Sequence, residues 1–137
     1  MIKQVSITLR PMTRGFHLVT NDILHALPQL PRTGLLNLFV RHTSCGIALN
    51  ENCDPDVRQD MQFIFDNLVP TRRHEYLHVM EGDDDMPAHA KSLLSGVSLT
   101  IPISNGRLAL GTWQGIYFCE YRDNGGPRRL LVTVMGE

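Results

Sequence analysis

Three of the six histidines stand where side chains do chemistry. His42 opens the string Arg41-His42-Thr43-Ser44-Cys45-Gly46, at the end of an expected strand. His78 lies just before the acidic run Glu81–Asp85, and His89 falls in the first turns of the helix expected after that run. Neutral imidazole is the commonest metal ligand, and three of them leave an open fourth position for water or substrate. Their separations match no zinc-motif spacing, so on spacing alone surface or hydrogen-bonded structural histidines are the default. His17 and His25 read as structural or exposed, and His74, after Arg72-Arg73, as solvated.

Other strings carry polar groups beyond what a turn needs. Thr43-Ser44 with Gly46 offers hydroxyls and backbone N–H groups that can hold phosphate or carboxylate, although an ordinary polar turn reads the same way. Gly111-Thr112-Trp113-Gln114-Gly115 sets the single tryptophan between glycines. Such a segment either walls a ligand pocket or makes a β-bulge with Trp113 filling the core. Asn50-Glu51-Asn52-Cys53-Asp54 gathers polar groups at a strand-to-helix junction. Asp54 is explained there as a helix cap; Asn50 and Asn52 are not. Glu120, between Cys119 and Tyr121, is a candidate general base or metal-shell carboxylate, or else a partner for Arg122 or Arg128. Cys45 reads as a buried structural thiol rather than a nucleophile. No nucleophile elbow, Walker loop or dinucleotide fingerprint occurs.

The elements that must position these residues follow from periodicity. Val5, Ile7 and Leu9 alternate with polar residues, as in a half-buried strand. A short strand is expected over 15–19, then a short helix with Ile23, Leu24 and Leu27 capped by Thr20 or Asn21. Strands follow over 35–41 and from about 47 to 51. Asp54 as cap, Pro55 at the first position and Asp56 in the first turn announce the clearest helix. Its apolar stripe is Val57, Met61, Ile64, Phe65 and Leu68. Asp85 is expected to cap a helix from Met86 to about Leu94, stopped by Gly96. A strand over 97–103 turns at Asn105-Gly106, a type I′ hairpin signal. Leu108 and Leu110 continue the return strand; further strands are expected over 116–121 and 130–135. The reading is an α+β fold: a single compact domain over 1–137, an antiparallel-rich sheet or sandwich with two or three inserted helices.

Composition narrows the function classes. The length of 137 residues fits one domain able to bury a core without disulfides. Lys+Arg 13 against Asp+Glu 14 gives no basic surplus, so no nucleic acid partner is expected. An odd set of three cysteines without a C-x-x-C pair points to a reducing, cytoplasmic setting. No signal peptide or membrane-spanning run is read, so no membrane partner is expected.

Taken in order, several strings resemble the YjbQ family, known as secondary thiamine-phosphate synthases. They are His42-Thr43-Ser44, Asn50-Glu51-Asn52 with Asp54-Pro55-Asp56-Val57, Tyr76-Leu77-His78, Met86-Pro87-Ala88-His89-Ala90-Lys91, and Leu110-Gly111-Thr112-Trp113-Gln114. Cys45 and Ala90 depart from the small or apolar residues expected there, so the chemistry should not depend on Cys45. The resemblance implies a homotrimer with a polar site near subunit contacts, and a divalent metal, zinc being the candidate, on His42, His78 and His89. The enzyme reading built on these residues takes Thr43, Ser44, Asn50, Gly111, Thr112, Trp113 and Gln114 as binders of a small phosphorylated or anionic substrate, with His42 and Glu120 as catalytic groups. The associated activity is weak thiamine-phosphate synthesis, in which a pyrimidine diphosphate joins a thiazole phosphate. The rival expectation is a non-catalytic trimeric module that binds a small anion or metabolite.

Overall fold

The alternation at the N-terminus becomes strand β1 (Ile2–Leu9), which turns Ile7 and Leu9 into the core and Ser6 and Thr8 outward. The computed structural model describes residues 1–137. After β1 come β2 (Gly15–Leu18), α1 (Thr20–Ala26), β3 (Thr33–Val40), β4 (Cys45–Glu51), α2 (Pro55–Leu68) and α3 (Asp85–Ser95). The chain finishes with β5 (Ser98–Ser104), β6 (Arg107–Leu108), β7 (Gln114–Glu120) and β8 (Arg128–Gly136). The strands form a five-stranded sheet, β1-β8-β3-β5-β6, and a three-stranded sheet, β2-β7-β4, with every pair antiparallel. The fold is thus a single α+β domain built on antiparallel sheets, as its sequence predicts.

Local chemistry sets the boundaries. Asn105 (φ 52°) and Gly106 (φ 75°) both take the positive φ that a type I′ turn requires, and they join β5 to β6. Asp54 caps α2 by accepting a 2.9 Å hydrogen bond from the Asp56 N–H, with Pro55 at the first helical position. Gly96 (φ 81°) ends α3 in a conformation that suits glycine.

Three local expectations are corrected. Neither Thr20 nor Asn21 caps α1: Val19 holds that position, and the Thr20 hydroxyl accepts the Ile116 N–H at 2.9 Å, pinning the helix to β7. The α2 stripe is only partly covered. Phe65 packs on the second sheet, whereas Ile64 and Leu68 are exposed. Asp85 is not a cap but the first residue of α3, preceded by Asp84.

The main core lies between the sheets. It joins Leu36, Leu38, Ile101, Ile103, Leu130, Val132 and Val134 of the larger sheet to Cys45, Ile47, Ile116 and Phe118 of the smaller. The other face of the smaller sheet presents Tyr117, Cys119 and, just beyond β7, Tyr121 to Ala88 of α3 and Phe65 of α2. This second layer is what brings the start of α3 against the β7–β8 turn. The outer face of the larger sheet carries Leu35, Phe39 and Met135, all exposed. No helix is long and apolar enough to cross a membrane.

Candidate metal centre

Asp85 and His89 are one helical turn apart on α3, so their side chains share a face. His78 reaches the same point from the loop before α3. That loop is tied down by the Tyr76 hydroxyl, which donates to the Pro70 carbonyl at 2.9 Å. The Asp85 carboxylate, 2% exposed, is the centre of the group. Its Oδ2 lies 2.6 Å from His78 Nε2 and 3.1 Å from His89 Nε2. One ligand atom from each of His78, Asp85 and His89 falls within 4.8 Å of the others. The His78 and His89 side chains are 44% and 31% exposed, so the group is buried on the carboxylate side and open to solvent on the imidazole side.

Burial alone would raise the Asp85 carboxyl. The hydrogen bond from His78 and the positive charges of His89 and Arg122 outweigh it, holding the group below its ordinary value. Asp84 behaves alike: burial raises it, while the Asp123 N–H and the Arg122 guanidinium lower it further.

The tautomer of His89 follows from its other nitrogen. Nδ1 is 2.9 Å from the Thr43 carbonyl oxygen, which can only accept, so Nδ1 carries a proton. In a neutral ring Nε2 is then the lone-pair nitrogen, and it faces a carboxylate oxygen at 3.1 Å. Two acceptors at that distance repel unless a positive charge sits between them, either a second proton or a metal ion. A carbonyl holding the far N–H is also the usual support of a metal-bound imidazole. Two imidazoles and a carboxylate form a donor set suited to zinc and other first-row divalent ions, so these residues fit the group that the sequence led us to expect.

His42 stands outside this group. Its Nε2 accepts the Arg129 N–H at 2.8 Å, which occupies the one lone pair of a neutral ring. Burial, then the charge of Arg128, lower its pKa; Glu120 opposes them, and Arg129 adds a lesser lowering, favouring that neutral form. The structure therefore brings His78 and His89 together with Asp85 rather than with His42.

Glu120 is fully buried, and neither of its oxygens is free. Oε2 accepts from Arg128 Nε at 2.7 Å, and Oε1 accepts from Arg128 Nη2 at 2.5 Å and the Arg122 N–H at 3.1 Å. Of the roles read from sequence, the arrangement matches pairing rather than proton abstraction. Arg128 also donates to the Ser44 hydroxyl and carbonyl, so Ser44 is an anchor of the turn whose Thr43 carbonyl orients His89. Burial pushes the Cys45 thiol up to about 12, which leaves it protonated and inert.

The Gly111–Gln114 segment lies elsewhere. It forms a turn closed by Gln114 Oε1, which accepts the Gly111 N–H at 2.8 Å. Asn52, which sequence reasoning could not place, holds this turn by donating from Nδ2 to the Thr112 and Gln114 carbonyls. Trp113 is 62% exposed and does not fill the core. Asn50 accepts the Glu51 N–H on its own strand. Register gives the separation: Asn50 and Glu51 pair with Gly115 and Gln114, whereas Cys45 pairs with Glu120. The length of β7 therefore sets this turn roughly 20 Å from the histidine end of the sheet. Beside His78 there is instead a cavity of about 280 Å³ lined by Arg72, Arg73, His74 and Tyr76.

Fold and donor set define an α+β protein with a two-histidine, one-carboxylate cluster at the end of its smaller sheet. The chain belongs to the YjbQ family: residues 5–137 match the family model described as UPF0047 protein YjbQ-like. It is 52% identical to UPF0047 protein YjbQ of Salmonella typhimurium and 50% identical to that of Escherichia coli, over 98% of each chain in both cases. It is also similar to the crystal structure of the conserved hypothetical protein TT1486 from Thermus thermophilus. The TM-score is 0.85 at 37% identity, covering 96% of this chain and 99% of that one.

Proposed function

We propose that the protein binds a divalent metal ion through His78, Asp85 and His89 and acts there on a small phosphorylated substrate. The observation that carries this reading is the convergence of His78 Nε2, His89 Nε2 and Asp85 Oδ2 within 4.8 Å of one another, with His89 Nε2 and Asp85 Oδ2 facing across a gap that a proton or a metal ion can fill. A bound divalent ion supplies charge neutralisation at a phosphoryl oxygen or a diphosphate leaving group. The chain's own contribution is position: the Thr43 carbonyl orients His89, and Arg122 holds Asp85. Arg72 and Arg73 line the adjacent cavity, paired with Asp83 and Glu75, and an anion beside the metal would have to compete with those carboxylates for the guanidinium groups. The reaction proposed is the joining of a pyrimidine diphosphate to a thiazole phosphate as a secondary activity, with a homotrimer as the working form. The exposed apolar residues on the outer face of the larger sheet favour such an assembly. Metal analysis of protein purified without a histidine tag tests the centre. About one ion per chain is expected, falling to near zero in His89→Ala while the circular dichroism is kept. Equal, near-zero metal in both proteins would end the reading.

A second reading, a trimeric module that binds a small anion or metabolite without turnover, is favoured by one observation. Glu120, the base nominated from sequence, is wholly occupied by Arg128 and Arg122. Thiamine-phosphate formation that disappears in His89→Ala would exclude it. Thermal stabilisation by inorganic phosphate without turnover would support it.

A further inference from the structure

We propose that Arg122 is the positioning residue of the centre: it occupies one oxygen of Asp85 so that only the other is presented to the imidazoles. The inference rests on the metal reading above. Arg122 lies in the turn between β7 and β8, and its backbone N–H donates to buried Glu120 at 3.1 Å, which fixes the point from which its side chain sets out. The guanidinium then addresses the segment that opens α3. Nη2 donates to the Glu81 carbonyl at 2.9 Å, Nε to Asp84 Oδ2 at 3.1 Å, and Nη1 to Asp85 Oδ1 at 2.5 Å. A rigid planar fork can serve three acceptors in this way; an ammonium group on a flexible stem cannot match the spacing.

The consequence follows from burial. Asp85 is 2% exposed with the guanidinium in place, so in the intact protein Oδ1 is satisfied by Arg122 and not by bulk solvent. Without Arg122 the carboxylate would turn to satisfy Oδ1, and Oδ2 would leave its place between His78 and His89. Two effects oppose each other. A guanidinium near a cation site weakens cation binding by Coulomb repulsion, whereas an outer partner that orients a ligand is worth about 10–100-fold in metal affinity. The short contact to a buried oxygen lets orientation dominate. The loop does not hang on the guanidinium alone, since the Asp123 N–H also donates to Asp84 Oδ2 at 2.8 Å.

Titration with Co²⁺, read by visible absorption, tests this on wild type, Arg122→Ala, Arg122→Lys and Arg14→Ala, each first shown to be folded by circular dichroism. Wild type should bind with a saturable spectrum. Arg122→Ala should bind about 10–100-fold more weakly with displaced bands, and Arg122→Lys should fall between them. Arg14 pairs with Asp123 of the same turn and with Asp66, but not with Asp85, so Arg14→Ala should keep the wild-type affinity and spectrum. Unchanged or tighter binding by Arg122→Ala, or an equal loss in Arg14→Ala, would overturn the inference alone. If Arg122→Ala does not fold, a folded Arg122→Lys with the wild-type spectrum and affinity overturns it equally. Wild type that takes up no cobalt would overturn both the metal reading and this inference.

Discussion

A single carbonyl oxygen decides the chemistry of His89. Because Thr43 accepts from Nδ1, the ring presents Nε2 to Asp85, and the pair becomes a site for a positive charge. The acidic residues beside it shape stability as well. Asp84 and Asp85 titrate below the ordinary aspartate value of 3.8 in the folded protein. Depressed carboxyls stabilise the fold above their unfolded value, and that contribution is lost as pH falls through the lowered folded values. Urea unfolding of metal-free protein between about pH 2 and pH 7 should therefore show stability falling on the acid side, with a shallower fall in Asp84→Asn. An acid limb that is identical in both proteins would remove Asp84 from the account. His78 and His89 were legible from residue type and setting. Asp85 was not, because an aspartate before a helix is already explained by capping. The signal that could have found it is its one-turn spacing from His89. That His42 lies outside this group was not legible for a different reason: no local pattern reveals that the Arg129 N–H, distant in sequence, fills its lone pair.

Elements were easier to read than sites. Alternation gave β1 and β5, the Asn105-Gly106 pair gave the hairpin, and Asp54-Pro55 gave the start of α2, because each is a short-range rule. The cap of α1 was misread for a long-range reason: Thr20 spends its hydroxyl on Ile116 of another element. Gly96 offers a clean test of how α3 is held. Its φ of 81° and ψ of 171° belong to a region almost restricted to glycine, and an added Cβ would meet nothing within 4 Å. Its carbonyl also accepts from the Ile47 N–H, joining the end of α3 to β4. Gly96→Ala should cost about 1–3 kcal/mol by chemical denaturation, purely through the backbone. A neutral result would mean that the turn relaxes without strain.

At the scale of the molecule, register separates what the sequence seemed to unite. The Gly111–Gln114 turn and the histidine cluster occupy opposite ends of the smaller sheet, roughly 20 Å apart by the length of β7. Strand pairing between distant segments carries that information, and no local string does. The central claim is the cation between His78, Asp85 and His89. The most direct measurement is an anomalous difference map from zinc-loaded crystals, collected on both sides of the zinc absorption edge. The account predicts an edge-dependent peak bounded by His78 Nε2, His89 Nε2 and Asp85 Oδ2. A zinc peak elsewhere in the chain, with none among those three atoms, would contradict it.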